Sequence, residues 1–173
     1  MDERRPTPVV PDRAQTGTGA KILILTDYYL PGYKGGGPMR TLSNIVDRLG
    51  GEYRFRVVTR DRDLGETEPY QEILADSWSP VGKAEVCYLS PRALSLRRLR
   101  TLFRDTEHDA VYLNSFFSPA FTIQPLLLRR LGLILGVPFI LAPRGEFSQS
   151  AVVQEFEKTS LETAPTGSMS ACK

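Results

Sequence analysis

The sequence predicts an α/β fold, a mainly parallel sheet with helices on both faces. Three observations carry that expectation. Short runs rich in Val, Ile and Leu recur along the chain, the pattern of strands covered on both sides. Amphipathic helical patterns alternate with these runs. Glycine and proline punctuate the junctions.

The first predicted strand is "KILILT", residues 21–26. A loop with three consecutive glycines follows, and "PMRTLSNIVDRLGG" then reads as a helix. Pro38 suits its first position, Met39, Leu42, Ile45, Val46 and Leu49 recur at helical spacing, and Gly50 and Gly51 end it. "RFRVVTR", centred on residues 55–59, is the second strand. Residues 61–80 are polar and hold no strong pattern beyond a turn of helix near residues 70–74. "AEVCYLS" is the third strand. "LSLRRLRTLFRD" puts Leu94, Leu99, Leu102 and Phe103 on one helical face and arginines largely opposite. "AVYLNS", residues 110–115, is the fourth strand. In "SPAFTIQPLLLRRLGLILG", Ser118 is the N-cap, Pro119 the first helical residue, Pro125 a bend and Gly136 the stop. "PFILAP" is the fifth strand, so the predicted order is β-α-β-β-α-β-α-β.

The chain has 173 residues, 41% hydrophobic and 24% charged, which is enough for about one domain with a real core. Its net charge of +2 gives no argument for nucleic acid as a partner. Cys87 and Cys172 form no C-x-x-C pair, so neither a zinc site nor a disulfide framework is expected, and no metal is assigned. Residues 1–20 are polar and proline-punctuated without an apolar core, and read as a disordered leader. The most apolar stretch, residues 126–143, is interrupted by Arg129, Arg130, Gly136 and Pro138, so it does not read as a spanning helix. The expected location is the cytoplasm.

Ligands of open parallel sheets sit outside the carboxyl ends of the strands. Three loops are expected there, at residues 27–37, 114–118 and 142–148, bringing the glycines, "NSFFSP" and "APRGEFS" to one crevice. A dinucleotide fingerprint is one reading of the glycine loop: Gly35 and Gly37 match, and Asp61 can serve as the acid after the second strand. Arg40 stands where the third glycine belongs, however, and the loop is long and aromatic. No Gly-Lys-Ser/Thr follows, so a phosphate-loop lysine motif is absent. The other readings are a mobile loop and an open crevice with the last glycines at a helix amino end, where free amides and the helix dipole favour an anion.

Together, "GYKGGGPMRTLSNIVDRLG", "VYLNSFFSPAFTIQPLLLRRLG" and "PFILAPRGEFSQSA" resemble the N-terminal domain of family 4 glycosyltransferases over residues 21–151. The resemblance implies a Rossmann-like domain, residues 21–150, that forms the N-terminal half of a two-domain GT-B fold. It also implies retaining transfer from a nucleotide sugar, with no essential metal and no cofactor beyond that donor substrate. In the family this half mainly holds the acceptor, a glycan or lipid-linked acceptor, and a second domain holds the donor. The expected substrate-binding positions are Gly35, Gly36, Gly37, Asn114, Ser115, Arg144 and Glu146, of which the resemblance matches Gly36, Gly37, Asn114, Ser115 and Arg144. Arg144 lies near where many relatives carry a histidine. An arginine stays protonated, so it can clamp an anion or a hydroxyl but not act as a base. Its alternative role is a structural pair with Glu146. No catalytic residue is assigned.

Residues 151–173 continue without a strand–helix repeat and read as a divergent, poorly ordered tail, whereas relatives go on into the donor domain. The expectation is therefore a domain inactive alone, whether from a shifted reading frame or as a short form completed by a separate donor-domain partner. The alternatives are a non-catalytic sugar- or nucleotide-binding module and an NAD-binding domain. Arg92, Arg97, Arg98, Arg100 and Arg104 crowd one helix, either as a solvated face or as a peripheral contact with the inner face of a membrane. His108, the only histidine, is expected at the wrong end of the sheet, as a solvated loop residue.

Overall fold

A computed structural model of the chain describes residues 19–134 and 136–144. The expected tail, Glu146 and all but the last two residues of the expected leader lie outside the described residues. Those last two, Gly19 and Ala20, join the fold: Gly19 N–H donates to the Glu52 carbonyl (3.0 Å), and the Ala20 carbonyl accepts from Arg54 N–H (3.1 Å).

Strands β1 (Lys21–Leu25), β2 (Arg54–Arg60), β3 (Trp78–Val81), β4 (Ala84–Leu89), β5 (Ala110–Leu113) and β6 (Phe139–Leu141) form one sheet in the order β3-β4-β2-β1-β5-β6. Every pairing is parallel except β3 with β4. The chain is therefore α/β with a mostly parallel sheet. After β1 it builds outward through β2 and β4, then returns to the other side of β1 for β5 and β6. The reversal falls between β1 and β5, where a crevice opens at the strand carboxyl ends.

Helices α1 (Gly36–Leu49), α2 (Leu96–Asp105) and α3 (Gln124–Arg130) lie between the strands, with a π-helical turn at Pro119–Ile123 leading into α3. Alternation along each strand divides the core into two clusters. Leu23, Leu25, Val58, Leu89, Val111 and Leu113 join Leu99, Leu102 and Phe103 of α2 and Leu128 of α3. Ile24, Phe55, Val57, Val86 and Tyr88 join Leu42 and Val46 of α1.

The structure departs from the expected elements in four places, three of them with a clear physical cause. The segment at residues 61–80 contains β3, the antiparallel edge strand, whose Pro80 is tolerated because an edge strand need not donate on both sides. A two-residue turn with Gly82 at φ 59° closes the β3–β4 hairpin. No helix forms at residues 70–74, where the chain only turns. The third helix starts with Ser118 as N-cap, its Oγ accepting from Phe121 N–H (3.1 Å), but it ends at Arg130 rather than at Gly136. Gly132 at φ 71° takes the left-handed conformation that stops it. Pro125 has no N–H for an α-type bond, and the π-helical turn adjoins it: Ile123 N–H reaches the Ser118 carbonyl at 3.0 Å. Among the described residues no helix is long and apolar enough to cross a membrane.

Candidate functional site

A cleft of about 170 Å³ sits at the switch point, lined by Thr26, Asp27, Tyr28, Gly35, Pro38, Met39, Asn114, Ser115 and Arg144. Four of the seven expected binding residues, Gly35, Asn114, Ser115 and Arg144, therefore meet in one cleft. Gly36 and Gly37 open α1 beside it without lining its wall, and Glu146 lies outside the described residues.

The three glycines are glycine for different reasons. At Gly35 a Cβ would stand 2.9 Å from the Tyr28 Cβ, so the loop closes against that ring's stem. Gly36 has φ +66°, which strains any other residue. Gly37 meets nothing within 4 Å, so open space lies in front of it. The amino end of α1 carries no side-chain cap and no acid in its first turn, which leaves its amides and positive dipole end unanswered by the helix itself.

Opposite, a chain of polar side chains holds Arg144. Asn114, only 3% exposed, donates through Nδ2 to Thr26 Oγ1 (3.2 Å) and accepts at Oδ1 from Arg144 Nε (2.8 Å). Arg144 also donates from Nη2 to the Tyr112 hydroxyl and stands 5.6 Å from that ring's centre. Tyr112 and Asn114 share a side of β5 because strand residues two apart do. Arg144 has φ 53°, left-handed backbone unusual for a non-glycine residue. Its observed partners are thus Asn114 and Tyr112. Asp27, the acid in the lining, is answered by Arg60, whose Nε and Nη2 donate to Oδ1 at 3.1 and 2.9 Å. The tyrosines divide: Tyr28 lines the cleft, Tyr29 is buried with its hydroxyl pushed up to about 12 by burial, and Tyr33 is exposed. Burial also raises the Tyr28 pKa, keeping it a neutral donor.

The glycine loop is braced by the segment that carried no sequence pattern. Asp63, 6% exposed, accepts from Tyr33 N–H (2.8 Å) and Lys34 N–H (3.1 Å) at Oδ2 and from Leu64 N–H (2.8 Å) at Oδ1. Burial works to raise its pKa, and these three donors outweigh that and hold it below the ordinary aspartate value. Lys34 pairs with Glu66, Tyr88 donates to the Leu30 carbonyl, and a Cβ on Gly32 would stand 2.4 Å from the Tyr70 hydroxyl. No pattern in the sequence of residues 61–80 signalled this brace.

Asp61, the acid that a dinucleotide reading needs, is 4% exposed and bound by Arg62 Nε at 2.8 Å, away from the cleft lining. His108 precedes β5, at the amino end of the sheet, half-buried with its ring 5.7 Å from Phe103. Phe116 and Phe117 pack edge to face at 5.0 Å. Cys87 is buried and its thiol is pushed up to about 11, unsuited to nucleophilic work. Among the described residues no cluster of His, Cys, Asp or Glu is arranged to hold a metal. No protein-family model matches the chain, and no curated protein or solved structure matches it either.

Proposed function

We propose that the chain is the acceptor-side domain of a nucleotide-sugar-dependent, retaining glycosyltransferase of the family 4 kind, with a Rossmann-like sheet covered by helices on both faces. Its switch-point cleft holds a sugar bearing an anionic group. The supporting observation is the meeting of Gly35, Asn114 and Arg144 across that cleft. Arg144 supplies the charge, α1 its amino-end amides, Asn114 and Thr26 the hydroxyl partners, and Tyr28 an apolar ring face. In this reading Gly36 and Gly37 leave room for the ligand to approach the backbone.

Transfer releases a nucleoside diphosphate, and each well-placed donor to such a developing charge is worth ~10²–10³ in rate. Arg144 is the one cation among the described lining residues, so the domain binds and does not turn over unless a donor-binding half faces it. Its partners in this reading are a nucleotide sugar, a glycan or lipid-linked acceptor and that donor half, at the cytoplasmic face of a membrane. The burial of Asp61 under Arg62 weighs against NAD.

Calorimetric titration with sugar phosphates, nucleotide sugars, neutral oligosaccharides and NAD tests the reading. Anionic sugars are expected to bind weakly, at ~0.1–1 mM, and Arg144→Ala to weaken them by ~10-fold or more, the worth of one charged hydrogen bond. NAD bound more tightly than any sugar, or binding indifferent to Arg144→Ala, sinks the proposal. Robust turnover by the purified chain alone would refute the division of labour.

A further inference from the structure

Away from the cleft, α2 and α3 bury their inner sides in the same core cluster, so their outer sides face away from the sheet together. Helix α2, "LRRLRTLFRD", carries four arginines against one acid in a chain whose net charge is only +2. Arg98 turns aside to donate to the Asp76 carbonyl (3.2 Å), and Arg104 pairs with Asp105 at 2.7 Å. Arg97, Arg100 and Arg104 are exposed and fall within one arc of the helix. Helix α3, which packs against α2, and the π-helical turn before it expose Ile123 (48%) and Leu127 (41%), with Leu131 (60%) at the helix end, each four residues apart, and Arg130 is also exposed.

An arginine row alone is an ordinary solvated face, and scattered aliphatics alone are ordinary surface. Neighbouring aliphatics with arginines beside them are what the boundary between headgroups and acyl chains selects. We propose that this outer face of α2 and α3 docks on an anionic bilayer, with Arg97, Arg100 and Arg104 at the lipid phosphates and Ile123, Leu127 and Leu131 at the acyl boundary. The proposal does not rest on sugar transfer. A second copy is disfavoured as occupant because a two-fold contact sets the same arginines against each other.

Co-sedimentation of the full chain with vesicles of phosphatidylcholine alone, and of phosphatidylcholine with phosphatidylglycerol, tests it. Binding is expected on the anionic vesicles and to fade as salt screens the charges. Each arginine near the surface adds about fivefold in affinity, so neutralising Arg97 and Arg100 with glutamine costs roughly 25-fold. Arg97→Lys with Arg100→Lys keeps binding, and Leu127→Ser with Leu131→Ser weakens it at equal charge. All four positions are exposed, and circular dichroism checks each fold. Equal binding to both lipids, no binding to either, or binding unmoved by the glutamine changes overturns the proposal. So does self-association that Leu127→Asp abolishes while vesicle binding stays absent.

Discussion

At the amino ends of the strands lies a hollow of about 300 Å³ lined by Lys21, Ile22, Arg54, Arg56, Glu85 and Glu107, wider than the cleft of about 170 Å³ at the carboxyl ends. Its charges answer one another: Lys21 pairs with Glu107, and Arg56 with Glu85 at 2.7 Å while stacking 5.6 Å from the Trp78 ring. These are half-exposed pairs, each worth ~0–1 kcal/mol, with little left to offer a ligand. The smaller cleft differs in kind. Its acid is already neutralised, its arginine sits on left-handed backbone, its helix end is uncapped, and a buried aspartate fixes the loop above it. By volume the amino-end hollow would be the candidate site, whereas polar capacity held in place by a rigid support favours the smaller cleft.

Removing one carboxylate from each end separates the two most strongly. Asp63→Ala removes the buried carboxylate that accepts from the Tyr33, Lys34 and Leu64 N–H groups and is expected to cost ~1–3 kcal/mol, roughly 3–10 °C in Tm. Glu85→Ala is expected to cost under ~1 kcal/mol. Thermal melts of the two variants check this, and equal losses erase the distinction. Because Asp63's folded pKa lies below its unfolded value of ~3.9, its stabilisation is present above that pH and disappears as pH falls through the lower folded value. Hydrogen exchange at Tyr33 and Lys34 should therefore show no Asp63-linked rise until the pH drops below ~4, and Asp63→Asn should lack that acid step. A step near pH 6 instead would mean that burial, not the amide donors, governs this carboxyl.

That brace marks the limit of what the sequence displays. Strands β1, β2, β4 and β5 were legible because runs such as "ILIL" and "VVT" bury both faces, and the cleft's place followed from alternation of strand and helix. Asn114 and Arg144 could be picked out through the family resemblance of the loops that follow the fourth and fifth predicted strands. Asp63 could not, since two of its three partners, Tyr33 and Lys34, are about thirty residues away in an irregular loop and no periodicity encodes them. β3 was hidden by Pro80 and by polar neighbours, although "VGKA" around Gly82 is a two-residue hairpin signal. The φ of Arg144 has no sequence signature at all.

That φ supplies a finer test of the carboxyl end. Left-handed backbone costs a residue with a Cβ ~1–2 kcal/mol relative to glycine. Arg144→Ala keeps the cost and loses the bond to Asn114, whereas Arg144→Gly loses the bond and sheds the cost. The glycine variant is expected to be the more stable of the two by ~1 kcal/mol, a few degrees in Tm, while both lose anion binding equally. Equal melting would show that Arg144 stores no strain, and the cleft would then resemble the amino-end hollow more than it differs.

The smallest expected change falls at Gly37, where nothing local requires glycine. Its backbone is not left-handed, a Cβ would meet nothing within 4 Å, and it lies in the first turn of α1. Gly37→Ala should therefore stabilise the chain by ~0.5–1 kcal/mol, the ordinary helical preference for alanine. If the open space before it is where a ligand's anionic group reaches the helix amides, the same methyl group should weaken sugar-phosphate binding despite the gain in stability. A variant that melts higher and binds as well as the native chain would leave Gly37 with no part in recognition, and the site would contract to Gly35, Asn114, Ser115 and Arg144.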